Sequence, residues 1–350
     1  MKSNYKRLGD YIRQVDVRNK DDERYDLLGV SVEKCFISSI ANTVGTDWHN
    51  YKIIKKGQFC YIPDTSRRGD KIGIAHLTDR GIGLVSAVYT VFEVWNKELV
   101  PEYLMLWFKR PEFDRYARYH SHGSVREIFD WEEMCNVELP VPPIEEQEKI
   151  VNGYQKIESR IALKKKINEN LENQALGLYR ILVRGTDSNT PMSKIYKFQY
   201  GKGNNNPDNG GMYPIYGSNG IIGGYDLFNN IDAPIIGHIG SCGSLLFAFG
   251  KHFVTYNGIM CNCIKPIYKW FGYLTLKNQN LQEQVRGSTQ PFISYDMLYE
   301  IQVPLPNEDE IFKFNYIVEP IFDSIREIEL EMQCLKHIEA ILLQKLSDSC

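Results

Sequence analysis

A ten-step apolar seam that occurs twice limits this chain more than any other feature. Residues 139–183 open with Leu139-Pro140-Val141-Pro142-Pro143. Prolines fix φ and push the preceding residue towards extended geometry. The acidic Glu145-Glu146-Gln147-Glu148 follows and suits the positive end of a starting helix. Then Ile150, Tyr154, Ile157, Ile161, Lys164, Asn168, Leu171, Ala175, Leu178 and Leu182 step alternately by four and three, and eight of the ten are apolar. This is the spacing of one helix lying along another.

The design returns at the C-terminal end. Val303-Pro304-Leu305-Pro306 precedes Glu308-Asp309-Glu310, and the seam is Phe314, Val318, Ile321, Ile325, Ile328, Met332, Leu335, Glu339, Leu342 and Leu346. Each position is its counterpart plus 164 (314 − 150), and Gly123-Ser124 and Gly287-Ser288 keep the same offset. The match points to an internal duplication: two units, each a globular part followed by a long helix. The expected divisions are 1–143, a central helix 144–184, 190–306, and a terminal helix 307–350, with 186–190 as a linker.

Composition narrows the function. With 350 residues, 43% of them hydrophobic, the chain has material for two or three cores. No apolar run approaches a membrane span, and MKSNYKRLGD lacks a signal-peptide h-region, so a cytoplasmic protein without membrane contact is expected. Eight cysteines without a C-x-x-C pair read as reduced, mostly buried thiols. Net charge is −3, and residues 307–350 carry four basic against ten acidic side chains. The last helix therefore does not favour a phosphate backbone, while the neutral globular parts permit one.

Residues 1–143 read as mixed α and β. Short strands are expected at 52–54 and 59–62 around a Lys56-Gly57 turn, and further strands at 72–75 and 84–92. Residues 101–118 suit a helix pair broken at Pro111, and 119–128 a polar loop. Residues 191–306 are richer in glycine. YPIYGSNGIIGGY (213–225) alternates apolar pairs with glycine turns, 234–244 is a strand running into a Gly/Ser loop, and a short helix is expected near 274–285.

The Gly-Lys-Gly at 201–203, the YPIYGSNGIIGGYD and PIIGHIGSCGS segments, and the two units of Gly-Ser, P-x-P and acidic helix resemble the specificity subunits of type I restriction–modification systems. The resemblance spans essentially the whole chain, although His238 stands where a basic residue is more usual. It implies an α+β fold: two mixed α/β target-recognition domains related by a pseudo-twofold repeat, joined by two long helices in an antiparallel coiled coil. It implies that each domain reads one half of a split site in double-stranded DNA. Two methyltransferase subunits and a motor-nuclease subunit are the implied partners. The chain itself would be non-catalytic and hold no cofactor or metal, with S-adenosylmethionine on the methyltransferase.

The residues make physical sense of that reading. About forty helical residues at 1.5 Å each form a rod of roughly 60 Å, between one and two turns of duplex. Setting Ile150 opposite Leu346 and Leu182 opposite Phe314 matches all ten layers. A one-heptad slip would instead set Lys164 opposite Glu339, so the first register is expected because it buries more apolar surface. Lys164, Asn168 and Glu339 either set that register or lie at exposed edges.

Arginine pairs guanine bidentately, and Asn or Gln pairs adenine. The candidate DNA contacts in the first domain are Arg67, Arg68, Lys71, His120, His122, Ser124 and Arg126. In the second they are Lys202, Asn204, Asn205, Asn206, Ser218, Asn219, Lys251, Arg286, Ser288 and Gln290. Signals for enzyme chemistry are missing. There is no Asn/Asp-Pro-Pro-aromatic run and no P-loop, and Pro63-Asp64 with Asp70-Lys71 fails carboxylate-x-Lys spacing. The alternative is a coiled-coil assembly adapter whose globular domains bind protein.

Overall fold

The computed structural model describes residues 5–39, 47–65, 71–123, 127–187, 189–203, 206–287 and 291–346. The chain forms two compact units: Met1–Ala162 with Gln333–Cys350, and Leu163–Met332.

In the first unit the strands are β1 (Tyr5–Arg7), β2 (Ile12–Val15), β3 (Leu27–Val30), β4 (Phe36–Ser38), β5 (Lys52–Lys55), β6 (Phe59–Tyr61), β7 (Ile74–His76), β8 (Ile82–Val85), β9 (Thr90–Val94) and β10 (Glu138–Pro140). Its helices are α1 (Pro101–Lys109), α2 (Pro111–Tyr119), α3 (Trp131–Asn136) and the first half of α4 (Ile144–Leu182). One sheet has the order β2-β9-β6-β7. The other is β4-β3-β8-β5, in which β3 and β8 run parallel. Pro111 starts α2 and holds Arg110 extended, which breaks the helix pair where expected.

The second unit contains β11 (Thr190–Pro191), β12 (Tyr196–Tyr200), β13 (Tyr213–Gly217), β14 (Gly220–Tyr225), β15 (Asn230–Gly237), β16 (Leu245–Val254), β17 (Gly258–Cys263) and β18 (Gln302–Val303). It also holds α5 (Lys269–Asn278), α6 (Tyr295–Tyr299) and most of α7 (Glu308–Lys345). Six strands form one sheet, β12-β17-β15-β16-β13-β14.

Each globular part is closed by the same clasp. β1 pairs antiparallel with β10, Lys6 opposite Leu139; β11 pairs with β18, Thr190 opposite Val303. The residues before each P-x-P are thus edge strands, which end because proline donates no further ladder bond. Both cores then run onto the long helices. Val151 and Tyr154 of α4 and Leu346, directly after α7, join the first core, which is built on Phe59, Phe92 and Phe108. Ala175 and Tyr179 of α4 join Ile311, Phe314, Val318 and Phe322 of α7 in the second, where Trp270 stacks on Phe322 at 4.1 Å. Within each unit the start of one long helix lies with the end of the other, as in an antiparallel pair.

All twenty seam positions are buried or half-buried. Lys164 ion-pairs with Glu331 at 2.5 Å, one residue from Met332 and eight short of Glu339. Glu339 instead approaches the Tyr154 hydroxyl, which burial and that carboxylate hold protonated well above the usual phenol range. α7 continues through Pro320. The ring removes the helical donor to the Tyr316 carbonyl on an exposed face, where water can replace it.

Four local expectations are corrected. The strands flanking Gly57 (φ +87°) join different sheets, because the Gly57 N–H turns to the Leu77 carbonyl. The run 84–92 is two strands, β8 and β9, also in different sheets; a turn closed by Tyr89 N–H on Ser86 O separates them. The helix expected near 274–285 is α5, displaced towards the N-terminus, and extended Gln279 separates it from a 3-10 turn at Leu281–Gln284. Among the seven described cysteines only Cys60 and Cys261 are fully buried, while Cys35 and Cys334 are exposed.

Candidate nucleic-acid interface

The two Gly-Ser loops are built alike. In the first unit His122 and Ile128 exchange both backbone hydrogen bonds, at 3.0 and 2.9 Å, and the Phe129 N–H reaches the Pro63 carbonyl at 2.9 Å. In the second unit Arg286 and Phe292 exchange both bonds at 2.9 Å, and the Ile293 N–H reaches the His238 carbonyl at 3.2 Å. His122 and Arg286, Ile128 and Phe292, and Phe129 and Ile293 each keep the offset of 164. Gly123 (φ +140°) and Gly287 (φ +90°) follow the first anchor in each, in a region of φ that glycine enters freely. Phe129 and Ile293 are fully buried plugs, whereas Ile128 (43%) and Phe292 (40%) are similarly exposed. A short helix starts directly afterwards in both units, α3 and α6.

In the second unit the loop 237–244 gathers several candidates. Ser218 and Asn219 form the two-residue turn of the β13–β14 hairpin, closed by Gly217 opposite Gly220. Ser218 Oγ accepts from the Ser241 N–H at 3.4 Å, and its carbonyl accepts from the Ser244 hydroxyl. A Cβ at Gly237 would lie 2.2 Å from the Ser241 carbonyl, so only glycine permits this approach. The Cys242 thiol donates to the His238 and Pro291 carbonyls at 3.2 and 3.0 Å, linking this loop to 286–292. Lys202 is exposed beside Gly203, whose carbonyl accepts from the Tyr256 N–H; the Tyr256 ring is 5.3 Å from that of His238. Lys202, Ser218, Asn219 and Arg286 therefore adjoin one loop.

Other candidates are engaged locally. His238 is buried, its Nδ1–H donating to the Ile293 carbonyl at 2.5 Å and its ring 4.4 Å from Tyr200. It braces the loop from behind. Asn206 donates to the Ile222 carbonyl and accepts from the Asp208 N–H, as a turn-former does. Lys251 sits over the Phe228 ring at 4.8 Å. In the first unit Lys71 pairs with Glu33 at 2.9 Å, and His120 lies 3.2 Å from Glu133 with its ring tilted against that of Tyr116 at 4.2 Å. Arg67, Arg68, Ser124, Arg126, Asn204, Asn205, Ser288 and Gln290 lie outside the described residues.

A cleft of about 960 Å³ in the first unit, not foreseen from the sequence, is lined by Lys34, Lys71, Arg115 and Arg118 together with Glu33, Asp114 and Glu339. Arg115 and Arg118, three apart, share one face of α2, a spacing visible in the sequence. Lys34 was not foreseeable. Its ammonium is buried against Asp114 at 2.5 Å, and the same carboxylate oxygen accepts from the Ile72 N–H at 3.0 Å. Among the described residues there is no group of three or more side chains suited to a metal ion, and no helix long and apolar enough to cross a membrane.

Residues 10–173 and 197–340 each match the family model described as the type I restriction modification DNA specificity domain. No curated protein matches the chain. Among solved structures, the S subunit of a type I restriction-modification system from M. genitalium is similar at 16% identity, over 98% of this chain and 95% of that one, with a TM-score of 0.54. The HsdS subunit from Thermoanaerobacter tengcongensis is 15% identical over 100% and 98% of the two chains, with a TM-score of 0.39.

Proposed function

Because this chain belongs to the family of type I restriction-modification DNA specificity domains, which it matches twice, we propose that it reads a bipartite DNA site, each unit taking one half. The observation that carries this is the duplicated loop: two differently decorated loops on the same backbone anchor. Two readers of one design with different side chains are what an interrupted, asymmetric site requires. The long helices set the interval and dock methyltransferase subunits, which bind S-adenosylmethionine and modify adenine; a motor-nuclease subunit completes a restriction complex. The chain performs no chemistry itself and works in the cytoplasm.

Two features support the docking role. Leu163, Ile167, Ile338 and Ile341 leave apolar surface on α4 and α7 uncovered. Phe312 and Tyr316 on α7 are 66% and 78% exposed, one helical turn apart.

Co-expression with a type I methyltransferase subunit followed by methylome sequencing tests the reading. An interrupted motif containing adenine in each half is expected, and its absence would favour the protein-binding adapter. Arg67→Ala with Arg68→Ala should weaken DNA binding by that assembly at moderate salt; unchanged affinity and site choice would remove those two residues from the interface.

A further inference from the structure

We infer that His122 and Arg286 are corresponding specificity positions, each reading one base pair at the same place in its own half-site, and that Arg286 takes guanine. The inference rests on the bipartite reading above and adds residue and base to it.

Three observations converge on these side chains. Their backbones are held alike, each by two hydrogen bonds to the residue six positions on, with a fully buried plug one residue further. A side chain on such an anchor is placed reproducibly and loses little backbone freedom on binding. Next, both side chains are exposed, and among the described residues neither makes a hydrogen bond or ion pair. Other basic candidates of the first unit are engaged instead: Arg118 pairs with Glu127, His120 with Glu133, and Lys71 with Glu33. Finally, the anchor uses backbone groups alone, so the residue identity at 122 and 286 is free of any role in closing the loop. A position that holds histidine in one unit and arginine in the other, at no cost to the fold, is suited to reading different bases.

The chemistry assigns the base. A guanidinium presents two parallel N–H donors that match guanine O6 and N7 in the major groove, a contact worth about 1–3 kcal/mol of discrimination. An imidazole at the same place makes one such bond and discriminates less.

The test uses the chain assembled with its methyltransferase subunits, reading methylation of every genomic variant of the motif. Arg286→Lys keeps the charge and removes the bidentate fork. It should relax one G·C position in a single half-site, narrowing the preference for guanine there by roughly 5- to 150-fold. His122→Arg should create or sharpen a guanine preference at the corresponding position of the other half-site. Thermal melting of both variants should match that of the unsubstituted chain, because the anchor bonds are backbone bonds. An unchanged motif with Arg286→Lys would reduce Arg286 to a phosphate contact and overturn the assignment. So would a change in both halves, or a His122→Arg assembly that keeps the original motif. If the unsubstituted assembly methylates no interrupted motif, the bipartite reading fails and this inference falls with it. An interrupted motif that both variants leave intact removes only this inference.

Discussion

Lys34 shows how much one residue can cost and hold. Its φ of +61° is in the left-handed region, and its ammonium is buried. Burial pushes its pKa down and the Asp114 carboxylate opposes that shift. The pair ties the turn before β4 to α2, and Asp114 also holds the backbone leading into β7. Asp114→Ala strands a buried cation and should destabilise the first unit by about 3–5 kcal/mol, whereas Lys34→Met with Asp114→Leu should cost much less. Equal losses in denaturant melts of the two variants would contradict this. Buried phenols set a pH limit. Burial raises Tyr196 and Tyr273 well above the ordinary value, and Tyr216 to about 12. A folded pKa above the unfolded one means stability is complete below about pH 10 and falls as pH rises towards the folded value. Tyrosinate absorbance of these residues should therefore appear together with alkaline unfolding; ionisation in the still-folded chain would refute the assignment.

At the scale of elements, the long helices are positioned by polar groups as well as by the seam. Gln147 is fully buried near the start of α4. Its amide donates to the Glu98 and Pro142 carbonyls, and its Oε1 accepts from the Val100 N–H. It fastens α4 to the approach of α1. Gln147→Ala leaves buried backbone groups unpaired and should cost about 1–3 kcal/mol for each such group, with faster amide exchange at Val100. Unaltered exchange there would show the bond to be dispensable. The Lys164–Glu331 pair is the register marker, with the lysine side chain only 15% exposed. Lys164→Glu should lower the melting temperature, and adding Glu331→Lys should restore most of it, a coupling of about 1 kcal/mol. If Glu339→Lys rescues instead, the helices are slipped by a heptad.

At the scale of the molecule, the first unit is assembled from two distant stretches of chain. Leu346, directly after α7, shares a core with Val151, Tyr154 and Phe108. Ending the chain after Met332 removes that contribution and should increase hydrogen exchange in α1 and the first half of α4. Peptides of α5 and β12, whose core lies wholly within 163–332, should keep their protection. Uniform loosening, or none, would show that the units are not divided in this way.

The duplication, the extended geometry at each P-x-P, the break at Pro111 and the seam were all legible in the sequence; the strands that pair with those segments were not. Each legible feature is a local or periodic signal: proline geometry, a 3.5-residue repeat, an offset of 164. Tertiary structure alone decided which strands pair, so β5 and β6, or β8 and β9, could be adjacent in sequence and still belong to different sheets. It also decided which polar side chains are free. Lys71, His120 and Asn206 resemble His122 and Arg286 in type and setting, yet the first three are committed to partners from 2 to 38 residues away. Alternation and composition report whether a residue faces water; they carry no record of which distant carboxylate or carbonyl folding brings against it.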